Sequence, residues 1–238
     1  MLSIIIPTLN EEKYLPLLLE SIKKQDFLDY EIIVADAGSK DKTLEIAKQY
    51  GCLIVRGGLL PAGRNRGAEA AKGNIFLFLD ADVILSEHFL KKSVEGFKNR
   101  GLGIAGFPLI PLSKKKMDNF FHNVFNIWTE LTQKISPHAA STIMSAKKVH
   151  NAIGGFDEEI VFIEDYPYSR AAAKVSKYGI IKEPVFVSIR RYEKDGRLKT
   201  YIKYALGELH TVFLGPVKSD IFKYKFGHYN SDNDKESK

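Results

Sequence analysis

The stretch "FLFLDADVI", residues 76–84, decides the fold class of this chain, because it joins an apolar run to two carboxylates. The four large apolar residues predict a short buried strand of the parallel type, preceded by Gly73 and Asn74. Asp80 and Asp82 follow where this strand should leave the sheet, and residues two apart in an extended chain point the same way. Two like charges on one face are costly unless a cation or the donors of a ligand compensate them. The structural alternative is that the aspartates cap the end of the strand and a following turn.

Strands and helices alternate over the first hundred residues. Strands are predicted at 2–7, 31–36, 52–56 and 76–80, and helices at 12–24, 41–50, 62–72 and 86–99. This order predicts an α/β fold with a mainly parallel, twisted sheet flanked by helices. Ligands of such sheets bind outside the carboxyl ends of the strands, where Thr8, Asp36 and Asp80 fall. We therefore expect these three side chains to converge on one crevice.

The second half of the chain is less regular. Strands are predicted at 104–110 (interrupted by Pro108), 141–145 and 185–189, and helices at 118–134, 165–177 and 201–214.

Composition narrows the class of protein. The chain has 238 residues, 45% of them hydrophobic, and a net charge of +6, which would suit an anionic ligand. Its basic residues are scattered, so nucleic-acid binding is not indicated. Cys52 is the only cysteine, which leaves no partner for an intramolecular disulfide. Neither a basic leader nor an apolar run of roughly 20 residues is present, so we expect a cytoplasmic protein.

Five segments stand in a characteristic order along the chain. They are "SIIIPTLNEEKYL" (3–15), "EIIVADAGSKDKTLEIAKQYG" (31–51), "PAGRNRGAEAAKGNIFLFLDADV" (61–83), "GGFDE" (154–158) and "EDYPYSRAAAKVSKYG" (164–179). Together they resemble the inverting family 2 glycosyltransferases, which have the GT-A fold. The resemblance implies a glycosyltransferase domain at 1–192, with a nucleotide-sugar half at 1–100 and an acceptor half at 101–192.

The resemblance also assigns a nucleotide-sugar site. Asp80-Ala81-Asp82 corresponds to the family's Asp-X-Asp motif, in which Asp82 would ligate Mn²⁺ or Mg²⁺ on the donor diphosphate and Asp80 would reach the ribose or the metal's waters. Asp36 would bind the nucleobase, and Arg64 would lie by the base and phosphates. The residues expected to line the base and ribose are Pro7, Thr8, Leu9 and Glu11. The alternative for Arg64 is an ion pair with Glu69 or another acid on a helix surface.

Asp165 is the candidate general base. It would take the proton of an acceptor hydroxyl as that oxygen attacks the anomeric carbon, which inverts the configuration in one displacement. Glu164 beside it is a candidate contact for the acceptor or the diphosphate. The alternative is that Glu164 and Asp165 only cap the helix that starts there. If the acceptor is a phosphate anion, no base is needed and Asp165 would orient it.

Two departures from the family pattern bear on function. A single carboxylate, Asp36, precedes Gly-Ser where many relatives have two, and the Gln-X-X-Arg-Trp motif of processive synthases is replaced by "SIRRYEKDGRL". Arg190 and Arg191 in that segment would neutralise the departing diphosphate, or pair with Glu193 and Asp195. A non-processive enzyme that adds one sugar is therefore predicted.

The acceptor and the partners are less determined. The aromatic helix at 118–134 and the amphipathic segment at 201–226 could lie peripherally on the inner face of a membrane, which would suit a polyprenyl-phosphate or other lipid-linked acceptor. They could equally pack on the sheet or form a dimer interface. We expect 193–229 to be a helical extension and 230–238 a polar tail. His138 and His210 could each add a metal contact or be structural.

Competing functions are a retaining sugar transferase, a nucleotidyltransferase of related fold, and a nucleotide-binding regulatory domain. The regulatory class would leave residues 118–230 without a purpose. UDP, GDP and dTDP sugars all fit the motifs, so the sequence does not select the donor nucleotide.

Overall fold

The computed structural model describes residues 1–224, 226 and 227. The strands in this part of the chain are β1 (Leu2–Thr8), β2 (Tyr30–Asp36), β3 (Leu53–Arg56), β4 (Ile75–Leu79), β5 (Val83–Leu85), β6 (Ile104–Gly106), β7 (Leu109–Pro111), β8 (Thr142–Ala146), β9 (Tyr178–Ile180) and β10 (Val185–Val187). The α-helices are α1 (Leu15–Lys23), α2 (Thr43–Gln49), α3 (Leu60–Ala70), α4 (Phe89–Asn99), α5 (Lys116–Thr132), α6 (Lys147–Ala152), α7 (Asp165–Val175), α8 (Arg190–Asp195) and α9 (Arg197–Phe213).

A twisted sheet forms the centre of the molecule, with the described strands in the order β3-β2-β1-β4-β8-β6-β9. β1 pairs in parallel with both β2 and β4, and β2 pairs in parallel with β3. Only β8 runs against its neighbours, antiparallel to β4 and to β6. The predicted mainly parallel α/β fold is confirmed.

The middle of this sheet is buried on both faces. All seven residues of β1 are buried, and Phe76 and Phe78 of β4 have no exposed surface. Full burial of one such side chain stabilises a fold by about 1.5–3 kcal/mol, so the continuous apolar runs hold these strands in the interior. The carboxyl ends of β1 and β4 are thereby fixed side by side.

The structure differs from the predicted elements around residues 80–111. Asp82 is followed directly by a strand, β5, which the sequence reading missed because three residues are too few to show a period. The predicted strand at 104–110 is two strands, separated at Phe107 and Pro108. β6 joins the main sheet, whereas β7 joins β5 and β10 in a second sheet of three described strands.

Two long helices, α5 and α9, lie beside the end of the sheet. α9 begins at Arg197, earlier than the predicted start at residue 201. Gly196, whose φ is 92°, interrupts the helical backbone between α8 and α9, so the second helix can start directly after it. Phe121 of α5 stacks on Tyr201 of α9 with ring centroids 4.3 Å apart. Phe120 and Leu131 of α5 are 61% and 76% exposed, so this face of the predicted amphipathic helix does not pack on the sheet.

In the part of the chain that the structure describes, no helix combines the length and the apolar character needed to cross a bilayer. Lys225 and the predicted polar tail at 230–238 lie outside the described residues.

Candidate active site

A cavity of about 640 Å³ opens at the carboxyl ends of β1 and β4. Residues from both halves of the chain line it, including most of the residues that the sequence singled out. The sequence-predicted residues on its wall are Pro7, Glu11, Arg64, Asp80, Ala81, Asp82, Glu164, Asp165, Arg190 and Arg191. Thr8, Leu9 and Asp36 are not among the residues that line it.

Arg64 is the centre of the charged part of the cavity. Its Nη1 donates to Glu164 Oε1 at 2.6 Å and to Asp165 Oδ1 at 2.7 Å, and its Nη2 donates to Asp80 Oδ1 at 3.0 Å. The side chain is only 1% exposed, and its Cζ lies 5.2 Å from the centroid of the Phe156 ring. One guanidinium therefore joins the Asp80 end of β4 to the start of α7.

The helix α3 positions Arg64 by packing very close to β1. Gly67 makes this approach possible, because a Cβ at that position would overlap the side chain of Ile5. Arg64 lies one turn earlier on the same helix and reaches into the cavity. The alternative of a surface ion pair with Glu69 is wrong, since Arg64 is buried and its partners are the three acids of the cavity.

Arg190 forms a second ion-pair cluster at the start of α8. Its Nη2 donates to Glu11 Oε1 at 2.7 Å and its Nε donates to Asp82 Oδ2 at 2.9 Å. Its Cζ lies 4.1 Å from the centroid of the Tyr14 ring. Asp80 and Asp82 thus each face an arginine, and these guanidinium groups are the cations that compensate the two like charges.

Arg191 points to a different neighbour. Its Nη2 donates to the Tyr224 hydroxyl at 3.1 Å, and its Cζ lies 4.3 Å from the centroid of the Tyr224 ring. Glu193, one of the acids considered as a partner for these arginines, pairs with Arg197 at 2.8 Å.

The ionisation of the cavity follows from burial and from the crowding of acids. Burial raises the pKa of Asp80 to about 7, and although Arg64 opposes this, the charges of Asp165, Asp82 and Glu164 add to it. Burial, followed by the neighbouring Asp165, also raises the pKa of Glu164. Burial alone would lower the pKa of the Arg64 guanidinium, but the three carboxylates outweigh it and raise that pKa. Arg64 is therefore always charged. The raised pKa values of Asp80 and Glu164 favour a proton on one of these two carboxyl groups.

Asp165 is held in one orientation. Its Oδ1 accepts from Arg64, and its Oδ2 accepts from the backbone N–H of Ser141 at 3.1 Å. Glu164 occupies the N-cap position of α7 but makes no side-chain capping bond there, and Asp165 lies in the first turn, where a negative charge is favoured. Ile163 and Ser141 both have φ of 57°, which is strained for a β-branched residue such as Ile163. Left-handed backbone therefore occurs two residues before Asp165 and at Ser141, whose N–H binds the Asp165 carboxylate.

Asp36 has local partners. Its Oδ1 accepts from Thr8 Oγ1 at 3.0 Å, and its Oδ2 accepts from the backbone N–H groups of Gly38 and Ser39, both at 2.8 Å. These bonds fix the turn after β2 beside the end of β1. The predicted contact between Asp36 and a nucleobase stays a prediction.

Glu208 is a cavity residue that sequence reasoning missed. It lies on α9, and burial raises the pKa of its carboxyl to about 7. Its Oε1 is 3.9 Å from Nδ1 of His138, and burial lowers the pKa of that imidazole to about 4 despite the nearby Asp165. The signal in the sequence was spacing, because Glu208 follows Tyr204 and Ala205 by four and three residues and so shares their face of the helix.

The donor set of the cavity suits a hard divalent cation. Asp80 and Asp82 supply carboxylate oxygens, which Mg²⁺ and Mn²⁺ prefer. Among the described residues, no group of three or more His, Cys, Asp or Glu side chains is arranged to hold a metal by itself. The acids present therefore fit an ion that takes its remaining ligands from a substrate. His138 faces Glu208, and His210 contacts the carbonyl of Gly215 and is not on the cavity wall.

In open α/β sheets, ligands bind in the crevice outside the carboxyl ends of the strands, which is where this charged cavity lies. The model of the family described as "Glycosyl transferase family 2" matches residues 3–156. The chain belongs to this family. That membership argues against the regulatory-domain alternative.

One curated relative is similar to most of this chain. The chain is 36% identical over 221 residues to the poly(ribitol-phosphate) beta-N-acetylglucosaminyltransferase TarS of Staphylococcus aureus, covering 84% of this chain and 37% of TarS. It thus spans little more than a third of that relative.

Solved structures show the same fold. The crystal structure of S. aureus TarS 1-349 in complex with UDP-GlcNAc has a TM-score of 0.65 at 20% identity and covers 89% of this chain and 73% of that one. The mannosyltransferase PcManGT from Pyrobaculum calidifontis, in complex with GDP-Man and Mn²⁺, has a TM-score of 0.63 at 20% identity and covers 86% and 64%. These likenesses confirm the GT-A-like architecture.

Proposed function

We propose that the protein is a non-processive glycosyltransferase that moves one sugar from a nucleoside-diphosphate sugar to an acceptor, with inversion at the anomeric carbon. The observation that carries this proposal is that the Arg64 guanidinium donates hydrogen bonds to both Asp80 and Asp165. It places the Asp-X-Asp carboxylate and a second, fixed carboxylate in one cavity of about 640 Å³. A transferase needs these two groups together, one for the donor and one for the acceptor.

Asp165 would act as the general base. Its carboxylate takes the proton of the acceptor hydroxyl while that oxygen bonds to the anomeric carbon, and the bond to the diphosphate breaks with its electron pair leaving on the diphosphate. Because Arg64 and Ser141 fix the carboxylate, little reorganisation is needed when the proton moves. General-base catalysis contributes about 10²–10⁴-fold to such a step.

The donor site would be formed by residues near the ends of β1 and β4. Pro7 and Glu11 lie on the cavity wall, and Thr8, Leu9 and Asp36, which do not line it, would contact the base and ribose. Relatives of the same fold are seen with UDP-GlcNAc and with GDP-Man, which supports a nucleotide-sugar donor and leaves the base open.

Asp82 and Asp80 would hold a divalent cation, Mn²⁺ or Mg²⁺. When bound, such an ion supplies positive charge to the diphosphate of the donor. The Mn²⁺ in the PcManGT complex supports this assignment. Arg190 and Arg191 would add positive charge on the same side, since Arg190 already contacts Asp82.

A lipid-linked acceptor and a peripheral contact with the inner face of a membrane belong to this proposal as well. They are supported by the exposed apolar side chains of α5 and α9.

Calorimetry would test the donor site. Purified protein is titrated with UDP, GDP, dTDP and CMP, each in Mn²⁺ and again in EDTA. We expect one nucleoside diphosphate to bind in Mn²⁺ only, and to lose its binding in Asp82→Ala but not in Asp29→Ala, an exposed acid away from the cavity. Failure of every nucleotide to bind in Mn²⁺ would refute the donor site.

The role of Asp165 is tested with its isosteric amide. Asp165→Asn keeps an acceptor oxygen for Arg64 but cannot take a proton, so release of nucleoside diphosphate from the donor should fall about 10²–10⁴-fold with nucleotide affinity unchanged. An unchanged rate would exclude Asp165 as the base. Retention of anomeric configuration in the product, or release of pyrophosphate, would favour the retaining or nucleotidyl-transfer alternatives.

A further inference from the structure

The helices α5 and α9 leave large apolar side chains in solvent. Large contiguous apolar patches on a protein surface mark sites that bind a partner, a ligand or a membrane. On α5 and α9 the apolar side chains that are half-exposed or more include Ile127, Trp128, Leu131, Ile202, Leu206 and Phe213.

Part of this apolar surface turns inward and lines the cavity that holds the acids. We call this part the helix groove. Its residues are Val124, Phe125 and Trp128 on α5 and Ile202, Leu209 and Val212 on α9. Since the same cavity contains Asp80, Asp82 and Asp165, the helix groove runs without interruption into the charged site. A ligand that fills both parts must have a polar end and a long apolar end.

The charge of the cavity indicates what kind of polar end it accepts. Among the described residues on its wall, six side chains are carboxyl groups and three are guanidinium groups. Arg64 is shared by three of the acids and Arg190 by two. Glu208 adds a carboxyl on the α9 side, close to His138. An anionic head group placed beside Asp165 and Glu208 would face an excess of acids, whereas a neutral hydroxyl would meet hydrogen-bond acceptors.

We propose that the acceptor is a lipid that carries a neutral hydroxyl head group, with its hydrocarbon chain in the helix groove and its hydroxyl at Asp165. This inference rests on the proposed function for the transfer step, in which the hydroxyl proton passes to Asp165, its oxygen bonds to the anomeric carbon, and the diphosphate leaves with the electron pair. The groove itself is a separate feature that can be tested without a donor.

Trp128 provides a direct probe of occupancy. It is the only tryptophan in the chain, it lies on the wall of the helix groove, and it is 55% exposed. Burial of this indole against a hydrocarbon chain should shift its fluorescence to shorter wavelength. The probes are hexyl, octyl and decyl β-D-glucoside, each titrated below the concentration at which it forms micelles, and decyl phosphate as the anionic counterpart.

We expect saturable blue shifts whose dissociation constants fall about three- to fourfold for each added methylene, as for transfer of a chain out of water. Decyl phosphate should bind more weakly than decyl glucoside. A dissociation constant that does not change with chain length, or tighter binding of the phosphate, would overturn the proposal.

Matched variants separate the groove from the rest of the exposed surface. Val124→Glu and Ile202→Glu place a charge in the helix groove, and Ile127→Glu and Leu206→Glu place it on the same helices outside the cavity wall. All four side chains are 48–59% exposed, so the folded state should tolerate each change. Only the first pair should weaken decyl glucoside binding, by tenfold or more. Equal effects of both pairs would refute a site in the groove and indicate general surface adsorption.

Two further outcomes keep this inference distinct from the proposed function. Nucleotide binding in Mn²⁺ without alkyl-chain binding would refute the lipid acceptor and leave the transferase intact, whereas the reverse would refute the donor site alone. If the Trp128 shift appears without glucoside as protein concentration rises, and sedimentation shows a dimer that Val124→Glu abolishes, a second copy of the chain occupies the groove and the proposal fails.

Discussion

Replacing Arg64 by methionine should destabilise the protein in a way that depends on pH. The guanidinium is buried and is the shared partner of Asp80, Glu164 and Asp165. Removing one partner of a buried ion-pair cluster typically costs about 3–5 kcal/mol, because the remaining charges lose their compensation. Methionine keeps much of the side-chain volume, so most of the loss should be electrostatic.

The sign of the pH dependence follows from the acids. Arg64 opposes the rise in the pKa of Asp80 and of Glu164, so these values should rise further in the variant. A carboxyl whose pKa is raised in the folded state binds its proton more tightly than the unfolded chain does. The resulting destabilisation is absent below the unfolded pKa of about 4 and grows by about 1.4 kcal/mol per pH unit for each such carboxyl until the folded pKa is passed. In the wild type this destabilisation already acts up to the folded pKa of Asp80, about 7, so at Asp80 the additional loss in the variant begins only above that pH and reaches about 1.4 kcal/mol at pH 8.

Urea denaturation of wild type and Arg64→Met at pH 5 and pH 8 measures this difference. Arg66→Met is the matched control, since Arg66 lies on the same helix but is exposed. We expect the variant to lose about 1 kcal/mol or more of additional free energy of unfolding at pH 8 compared with pH 5, with the control near wild type at both. A loss that is the same at both pH values would refute the electrostatic account of Arg64.

Two other predictions concern the proposed donor site and the packing of α9. Burial raises the pKa of Asp80 to about 7, so Mn²⁺-dependent nucleotide binding should weaken as the pH falls from 8 to 6.5, by at most about tenfold per pH unit. Calorimetry of Asp80→Asn should show a flatter pH dependence. The same pH dependence in the variant would mean that another group causes it. In Gly207→Ala the new Cβ would overlap Phe162 and Ile163, which should lower the free energy of unfolding by about 1–3 kcal/mol. In Gly96→Ala, also within a helix, the nearest atom is 3.9 Å away, so stability should rise by up to about 1 kcal/mol. Urea denaturation that shifts both glycine variants in the same direction would contradict this packing.

The sequence was most informative where buried strands end in polar residues. The apolar runs of β1 and β4 predicted a parallel sheet, and the position of Asp80 at the end of β4 predicted where the cavity would be. These inferences worked because full burial imposes a simple pattern on a strand. The structure then showed most of the expected residues on the wall of a single cavity.

What the sequence could not give were the partners of those residues. The link from Arg64 to Glu164 and Asp165 spans about a hundred positions, and no local pattern reports such a contact. The strand β5 was too short to show a period. Glu208 was overlooked because a single acid within an amphipathic helix is normally assigned to its solvent face, and only the packing of α9 turns it inward.

The distances in sequence between Arg64 and its partners also bear on how the protein acquires its activity. Asp80 is 16 residues away, but Glu164 and Asp165 are 100 and 101 residues away. Contacts between residues so far apart close a long loop, which costs more chain entropy than a local strand or helix pair does. A chain still emerging from the ribosome can therefore pair Arg64 with Asp80 while the carboxylate opposite them has yet to be synthesised. If the protein is the transferase proposed above, its activity should appear only when both halves have folded together, because Arg64 then joins Asp80 to Asp165.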